Sequence, residues 1–373
     1  MVLYEIFIEI PSKLHSKKSS CLMKYKVYVI IGITTILLCL KAKAQEFNDL
    51  FFDQTIRMNY IIAGNNSKAE IFLSQYISEG IWAGKRTSME ECIESGSFKM
   101  ELKDSLSGKT IYAYSFGSLF DEWQLTLEAK QYKKAFREAV RFPCPKKSAI
   151  IEIYQKDTLE KYHKLCSINF SKDLPIKKST IFDSEDIMIN GSVDKKIDIV
   201  LLAENYKSNE INKFSEDAKR FTNHLFEYEP YKSNKDKFNV RIVKNFSKLD
   251  FSYNTFSIDR YLTSENYWAI CDKAASVPWD IVVVIINHKK YGGSGIFNFY
   301  CSFISQNTDS EEMFVHEFGH LFAGLEDEYT LDYPSKNQKQ KMQQNCIMRS
   351  LDTKVFCPQC KNTIKKFIKY YTE

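Results

Sequence analysis

The sequence predicts an α+β protein of two domains, an N-terminal β-sandwich followed by an α/β domain. Short β-branched runs broken by turn residues fill the first half, and a continuous apolar run feeding a segment of helical period opens the second. Between them, Pro175 flanked by lysines and serines marks a linker. A chain of 373 residues with 44% hydrophobic content is long enough for two ordinary cores. The expected divisions are residues 1–44, 45–184 and 185–373.

Residues 1–44 read as a leader. Lys24 and Lys26 precede an apolar run from Val27 to Leu40, and Ala42-Lys43-Ala44 supplies the small-x-small pattern cut by signal peptidase. Residues 1–22 then read as an upstream extension. The apolar run is shorter than the roughly 20 residues a helix needs to cross a bilayer. An exported protein (secreted, periplasmic or on the cell surface) with no stable membrane span after signal removal is therefore expected.

The formal charge of +5 belongs to the leader, whose seven lysines and two glutamates account for the whole excess of 52 basic over 47 acidic residues. The remaining chain is neutral, which argues against a nucleic-acid partner.

In the first half, Thr55 to Ile62, Ser97 to Leu102, Thr110 to Phe116 and Ala149 to Tyr154 read as strands, with turns at Gly64-Asn65-Asn66 and Ser107-Gly108. Thr126 to Val140 reads as a helix, and Trp82 and Trp123 as core residues. In the second half, Ile197 to Leu202 is an apolar strand, and Asn209 to Tyr228 has helical period through Ile211, Phe214, Ala218, Phe221 and Leu225. Phe238 to Val243 and Ile281 to Ile286 continue a parallel sheet in a β-α-β order. A glycine-rich stretch, Tyr291-Gly292-Gly293-Ser294-Gly295, and an apolar run from Ile296 to Ile304 follow.

Then comes HEFGHLFAGLEDEY, residues 316 to 329. Asp309 or Ser310 can cap a helix here, Glu311 and Glu312 suit its positive end, and Met313, Phe314, Phe318, Leu321 and Phe322 give it an apolar face. His316 and His320 lie one turn apart, where both imidazoles can reach one ion. Glu317 is placed to take a proton from a water at that ion, the His-Glu-x-x-His arrangement of zinc hydrolases.

A catalytic zinc takes three protein ligands and keeps one position open. No histidine follows His320, so a third imidazole would have to come from His163, His224 or His288 upstream. The nearby alternative is the acidic cluster Glu326-Asp327-Glu328, reached if Gly324 ends the helix in a left-handed conformation and turns the chain back.

His316 to Tyr329, with its ending Leu325-x-Asp327-Glu328-Tyr329, resembles the signature of the IgA-peptidase family of zinc metallopeptidases, a metzincin-like group. Asn345-Cys346-Ile347-Met348-Arg349 is similar to that family's methionine turn, and Tyr291 to Tyr300 to its glycine-rich strand. Asp198 to Tyr206, Asp259 to Thr263, Gly80 to Gly84 and Ser115 to Trp123 extend the likeness over most of the chain beyond the leader. One residue more than the metzincin pattern separates His320 from Gly324.

The resemblance implies a β-sandwich ahead of a metzincin-like α/β catalytic domain, Zn2+ as cofactor, and a protein or peptide substrate. It implies Asp327 as third ligand, with Glu326 and Glu328 as alternatives. Met348 would form a floor under the metal, and Gly292, Gly293 and Gly295 an edge strand to which a peptide can add by main-chain hydrogen bonds, unless they simply make a turn. Tyr329 and Tyr333 are candidates for binding the oxyanion, with aromatic packing as the other reading of each.

Eight cysteines remain beyond the leader. Cys357-Pro358-Gln359-Cys360 has the spacing of a zinc knuckle or redox pair, and a bridge to Cys346 is the structural alternative. A competing reading of the whole chain is an adhesin-like surface-binding protein without catalysis. The intact His-Glu-x-x-His set argues for the zinc-dependent endopeptidase instead.

Overall fold

Strand β1 (Phe51–Asn65) turns directly into β2 (Lys68–Ser78), because the Asn65 side chain accepts hydrogen bonds from the Ser67 and Lys68 amides and closes the turn. This computed structural model describes residues 47–328 and 345–373; the leader, Tyr329 and Tyr333 lie outside the described residues. Residues up to Asp49 belong to a separate unit, of which Phe47, Asn48 and Asp49 are described, in a helical turn.

A second hairpin, β3 (Phe98–Asp104) and β4 (Thr110–Phe116), turns where Asp104 accepts from the Ser107 amide at 2.7 Å and Gly108 takes a φ of 68°. Two short helices follow, α1 (Leu119–Gln124) capped by Ser118 and α2 (Leu127–Gln131) capped by Thr126.

The helix expected over Thr126 to Val140 ends after α2, and the chain continues as β5 (Lys134–Pro145). The good helix formers Lys133, Lys134, Ala135 and Glu138 suggested otherwise. In the structure Phe136, Glu138, Val140 and Phe142 face inward while Ala135 and Arg137 are exposed, and β5 pairs antiparallel with β1 along most of its length. Sheet pairing and a period-2 apolar face outweigh intrinsic propensity here.

The first region closes with β6 (Ala149–Lys156), β7 (Tyr162–Phe170) and β8 (Ile176–Lys178). Two four-stranded sheets result, β5-β1-β2-β8 and β4-β3-β6-β7. Tyr76 and Phe142 of one meet Phe170 of the other edge-on at 5.1 and 5.4 Å. Trp82 and Trp123 are core residues, both nearly inaccessible.

The second region contains β9 (Ser184–Met188), β10 (Ile197–Glu204), α3 (Ile211–Leu225), β11 (Phe238–Val243), α4 (Tyr267–Ala274) and β12 (Ile281–Ile286). It ends with β13 (Gly293–Ile296), β14 (Tyr300–Ile304), α5 (Ser310–Ala323) and α6 (Pro358–Thr372). Its sheet runs β13-β14-β12-β10-β11-β9. The four inner strands are parallel, and β13 and β9 are antiparallel edges. Every residue of β10 and β12 is buried, as is usual for the inner strands of a parallel sheet, and in β10 this includes Asp198 and Glu204. The apolar run Ile296 to Ile304 is split by a tight turn in which Asn298 adopts a φ of 50°.

The first region buttresses the second within one compact unit, Leu50–Glu373. The Gly117 amide donates to the Phe297 carbonyl at 2.7 Å, Asn298 Nδ2 donates to Ser115 O, and Trp268 Nε1 donates to Glu138 O. Among the described residues, no helix is long and apolar enough to cross a membrane.

Candidate metal centre

Helix α5 carries the centre. It is buried along most of its length, and Gly295 of β13 is the reason it can lie so close to the sheet. A Cβ on Gly295 would stand 2.3 Å from the Glu317 carbonyl oxygen and 2.8 Å from the His320 Cβ, so a side chain there would push helix and strand apart.

His316 Nε2 and His320 Nε2 are 3.1 Å apart, and Asp327 Oδ1 lies 3.1 Å from the first and 3.2 Å from the second. Asp327 reaches them because α5 ends at Gly324, whose φ of 57° is left-handed and whose amide donates to the His320 carbonyl. His316 Nδ1 lies 3.0 Å from the Ile347 carbonyl, and His320 Nδ1 is hydrogen-bonded to the Leu325 carbonyl. A carbonyl only accepts, so each Nδ1 carries a proton, and it is each Nε2, once deprotonated, that can offer a lone pair to the common point.

Three donor atoms in a triangle of this size suit a tetrahedral ion, whose ligand atoms at about 2.0–2.1 Å would stand about 3.3–3.4 Å apart. The electrostatics agree. Burial opposes ionisation of Asp327, but the facing imidazoles outweigh it and hold the carboxyl well below its ordinary range. Burial lowers the His320 imidazole, yet Asp327 more than compensates and raises it to about 9. The anionic donor is thus already charged and faces two nitrogens.

Of the acidic cluster, Asp327 alone joins the histidines. Glu326 is exposed. Glu328 turns the other way, toward cysteine thiols. The upstream histidines lie elsewhere: His163 pairs with Asp157, His288 meets the Tyr253 hydroxyl, and His224 faces Glu311 and Glu312 at the opposite end of α5.

Glu317 is half-buried beside the centre, and burial raises its carboxyl, opposed in part by the two histidines. The strand of glycines lines its side, since a Cβ on Gly293 would stand 3.0 Å from Glu317 Oε1. Met348 is inaccessible and sits under the helix, with its sulfur 3.0 Å from where a Cβ on Gly319 would be.

The expected edge strand is an edge of its sheet, but its outer side is partly occupied. The Gly293 amide donates to Arg260 O, its carbonyl accepts from the Leu262 amide, and the Phe297 carbonyl accepts from Gly117. Gly292 is buried and stands before β13, so the stretch of main chain between these contacts centres on Gly295.

Sequence reading missed one further pair. Tyr261 donates to Glu122, a residue of α1 in the first region. Burial pushes the Glu122 carboxyl up to about 7, with His320 and Glu317 both within electrostatic reach. No local pattern marks Glu122, because its partner is 139 positions away in sequence.

A histidine-bearing helix closed by a carboxylate, set against a mostly parallel sheet with a methionine beneath, is the architecture of a metal-dependent peptidase. Residues 46–167 match the Peptidase M64 N-terminus and residues 186–344 match IgA Peptidase M64. The chain belongs to the IgA peptidase M64 family and is a metallopeptidase. No curated protein matches it.

Proposed function

We propose that the chain is an exported zinc-dependent endopeptidase, in which His316, His320 and Asp327 hold the ion and Glu317 is the general base. The convergence of His316 Nε2, His320 Nε2 and Asp327 Oδ1 within 3.2 Å of one another carries this reading. Zinc bound there supplies Lewis acidity toward the scissile carbonyl and acidifies water.

Every other part of the reaction falls to the chain's own residues. The backbone carbonyls of Ile347 and Leu325 fix the imidazole tautomers. Glu317 accepts a proton from the attacking water and delivers it to the departing amine, a task favoured by a carboxyl whose pKa burial raises. Glu122, held by Tyr261, adds a second carboxyl that changes charge near neutral pH within electrostatic reach of Glu317. A peptide laid along β13 would find the main chain at Gly295 between the contacts at Gly293 and Phe297. The leader of residues 1–44 supports export.

Digestion of a mixed peptide library, with and without a chelator, tests the reading. Internal cleavage that stops on chelation and returns with zinc is expected, and Glu317→Gln should keep its metal while losing that cleavage. Undiminished cleavage in Glu317→Gln would remove the glutamate from its role.

A further inference from the structure

On the far side of Asp327 a second group of donors converges. Glu328, Cys346, Cys357 and Cys360 each offer one ligand atom, and these atoms all lie within 4.8 Å of one another. We propose that these four residues bind a second zinc ion, structural rather than catalytic, that pins the base of the peptidase centre.

Distances carry the proposal first. Cys346 Sγ and Cys360 Sγ are 3.9 Å apart, and Glu328 Oε1 lies 3.4 Å from Cys357 Sγ and 3.4 Å from Cys360 Sγ. A tetrahedral ion with Zn–S bonds of about 2.3 Å and a Zn–O bond of about 2.0–2.2 Å spaces two sulfurs about 3.8 Å apart, and a sulfur and an oxygen about 3.5–3.7 Å apart. The observed edges lie close to both.

Burial supplies the independent argument. Glu328 is 9% exposed and the three cysteines at most 4%, and the second carboxylate oxygen, Oε2, is buried with no hydrogen-bond partner. Among the described residues no lysine, arginine or histidine pairs with Glu328. A buried carboxylate facing only thiols is costly unless a cation completes the group. A disulfide between any two of the three sulfurs would still leave that carboxylate uncompensated.

Two of the sulfurs also accept from backbone amides, as thiolates would. The Cys357 amide donates to Cys346 Sγ at 3.3 Å and the Cys360 amide donates to Cys357 Sγ at 3.5 Å, both at the N-terminus of α6, where the helix dipole favours negative charge. On binding, the three thiols release their protons to solvent. Three thiolates and a carboxylate around a dication carry the same net charge as the familiar four-cysteine site.

The position gives the ion its role. Glu328 follows Asp327, and its amide donates to the Met348 carbonyl at 2.9 Å. Cys346 precedes Ile347, whose carbonyl orients His316. The ion would therefore join the turn after α5, the methionine turn and the start of α6, and would hold them whether or not the catalytic centre is loaded. The proposal does not rest on the peptidase reading.

The test is metal and thiol analysis of the purified full chain. About two equivalents of zinc are expected in the wild type, about one in His320→Ala and about one in Cys360→Ser. Cobalt substitution should give an intense thiolate charge-transfer band in wild type and in His320→Ala, which a site of two histidines and a carboxylate cannot produce. Cys346, Cys357 and Cys360 should resist alkylation until the metal is stripped. An unreduced mass lower by two hydrogens with a disulfide mapped within this group would overturn the proposal. So would cobalt uptake without the thiolate band, or ready alkylation of all three cysteines in the metal-loaded protein. The wild-type measurements decide the matter even if Cys360→Ser fails to fold.

Discussion

In the sandwich region Glu79, nearly inaccessible, meets Arg57 Nε at 3.2 Å and Arg141 Nε at 2.9 Å, and Arg57 also pairs with Asp272. In the peptidase region, among the described residues, the Asp327 side chain meets two imidazoles and the Glu328 side chain two thiols. The first arrangement contains its own cations, so its charge is balanced by folding alone. The second gathers anions and lone pairs without a permanently charged partner, and it is balanced when a metal enters. Charge thus serves cohesion at Glu79 and ligand capture at Asp327 and Glu328.

The sharpest way to break this contrast is to remove a donor from the catalytic centre. Asp327→Ala should lose the centre's metal and lower peptidase activity by more than the about 10–100-fold typical of outer-shell partners, whereas Glu326→Ala should retain both. Metal content and peptide cleavage, measured side by side, check it; metal loss in Glu326→Ala alone would reassign the third ligand. Glu317→Gln tests chemistry without removing a donor. Its metal content should stay at the wild-type level while turnover falls about 10²–10⁴-fold.

On the sandwich side the equivalent cut is Glu79→Ala, which leaves the Arg141 guanidinium uncompensated and Arg57 with Asp272 alone. It should destabilise the fold by about 3–5 kcal/mol, read as a lower denaturant midpoint. Metal content in the folded fraction should not change.

A smaller effect comes from Glu138, whose carboxyl burial raises to about 7 against hydrogen bonds from Ser118, the Phe120 amide and Tyr60. Its pKa in the unfolded chain is about 4.3, so its contribution to stability is fully present below that pH and is lost as pH rises through about 7. Between pH 5 and pH 8 the wild type should lose about 1–3 kcal/mol more than Glu138→Gln, measured by urea unfolding at both values. Equal losses in the two proteins would mean that Glu138 is not buried as a neutral acid. The smallest change expected is Met348→Leu, which nearly conserves volume beneath the helix and should cost less than about 1.5 kcal/mol, with metal affinity only modestly weakened.

Elements with one dominant local signal were legible in the sequence. The buried runs of β10 and β12 and the helical period of α3 and α5 needed no tertiary information, and the helical grammar around His316 and His320 placed both imidazoles on one side. The strand β5 was misread because its lysines, alanines and glutamate favour a helix locally, while the partner that makes it a strand, β1, lies some 80 residues earlier. The edge strand was read as open, but the groups that occupy its rim at Gly293 and Phe297 come from Arg260, Leu262 and Gly117.

What the sequence by itself determined was the chemistry available and its helical spacing: two imidazoles one turn apart, a glutamate between them, and a glycine able to reverse the chain. Only the tertiary structure decided which of three adjacent acidic residues faces the histidines and which faces the cysteines. The physical reason is that Asp327 and Glu328 are alike in charge and propensity, and their side chains diverge in the irregular chain after α5, one toward the imidazoles and one toward the thiols. Which side holds imidazoles and which holds sulfurs depends on segments that are distant in sequence and adjacent only once folded.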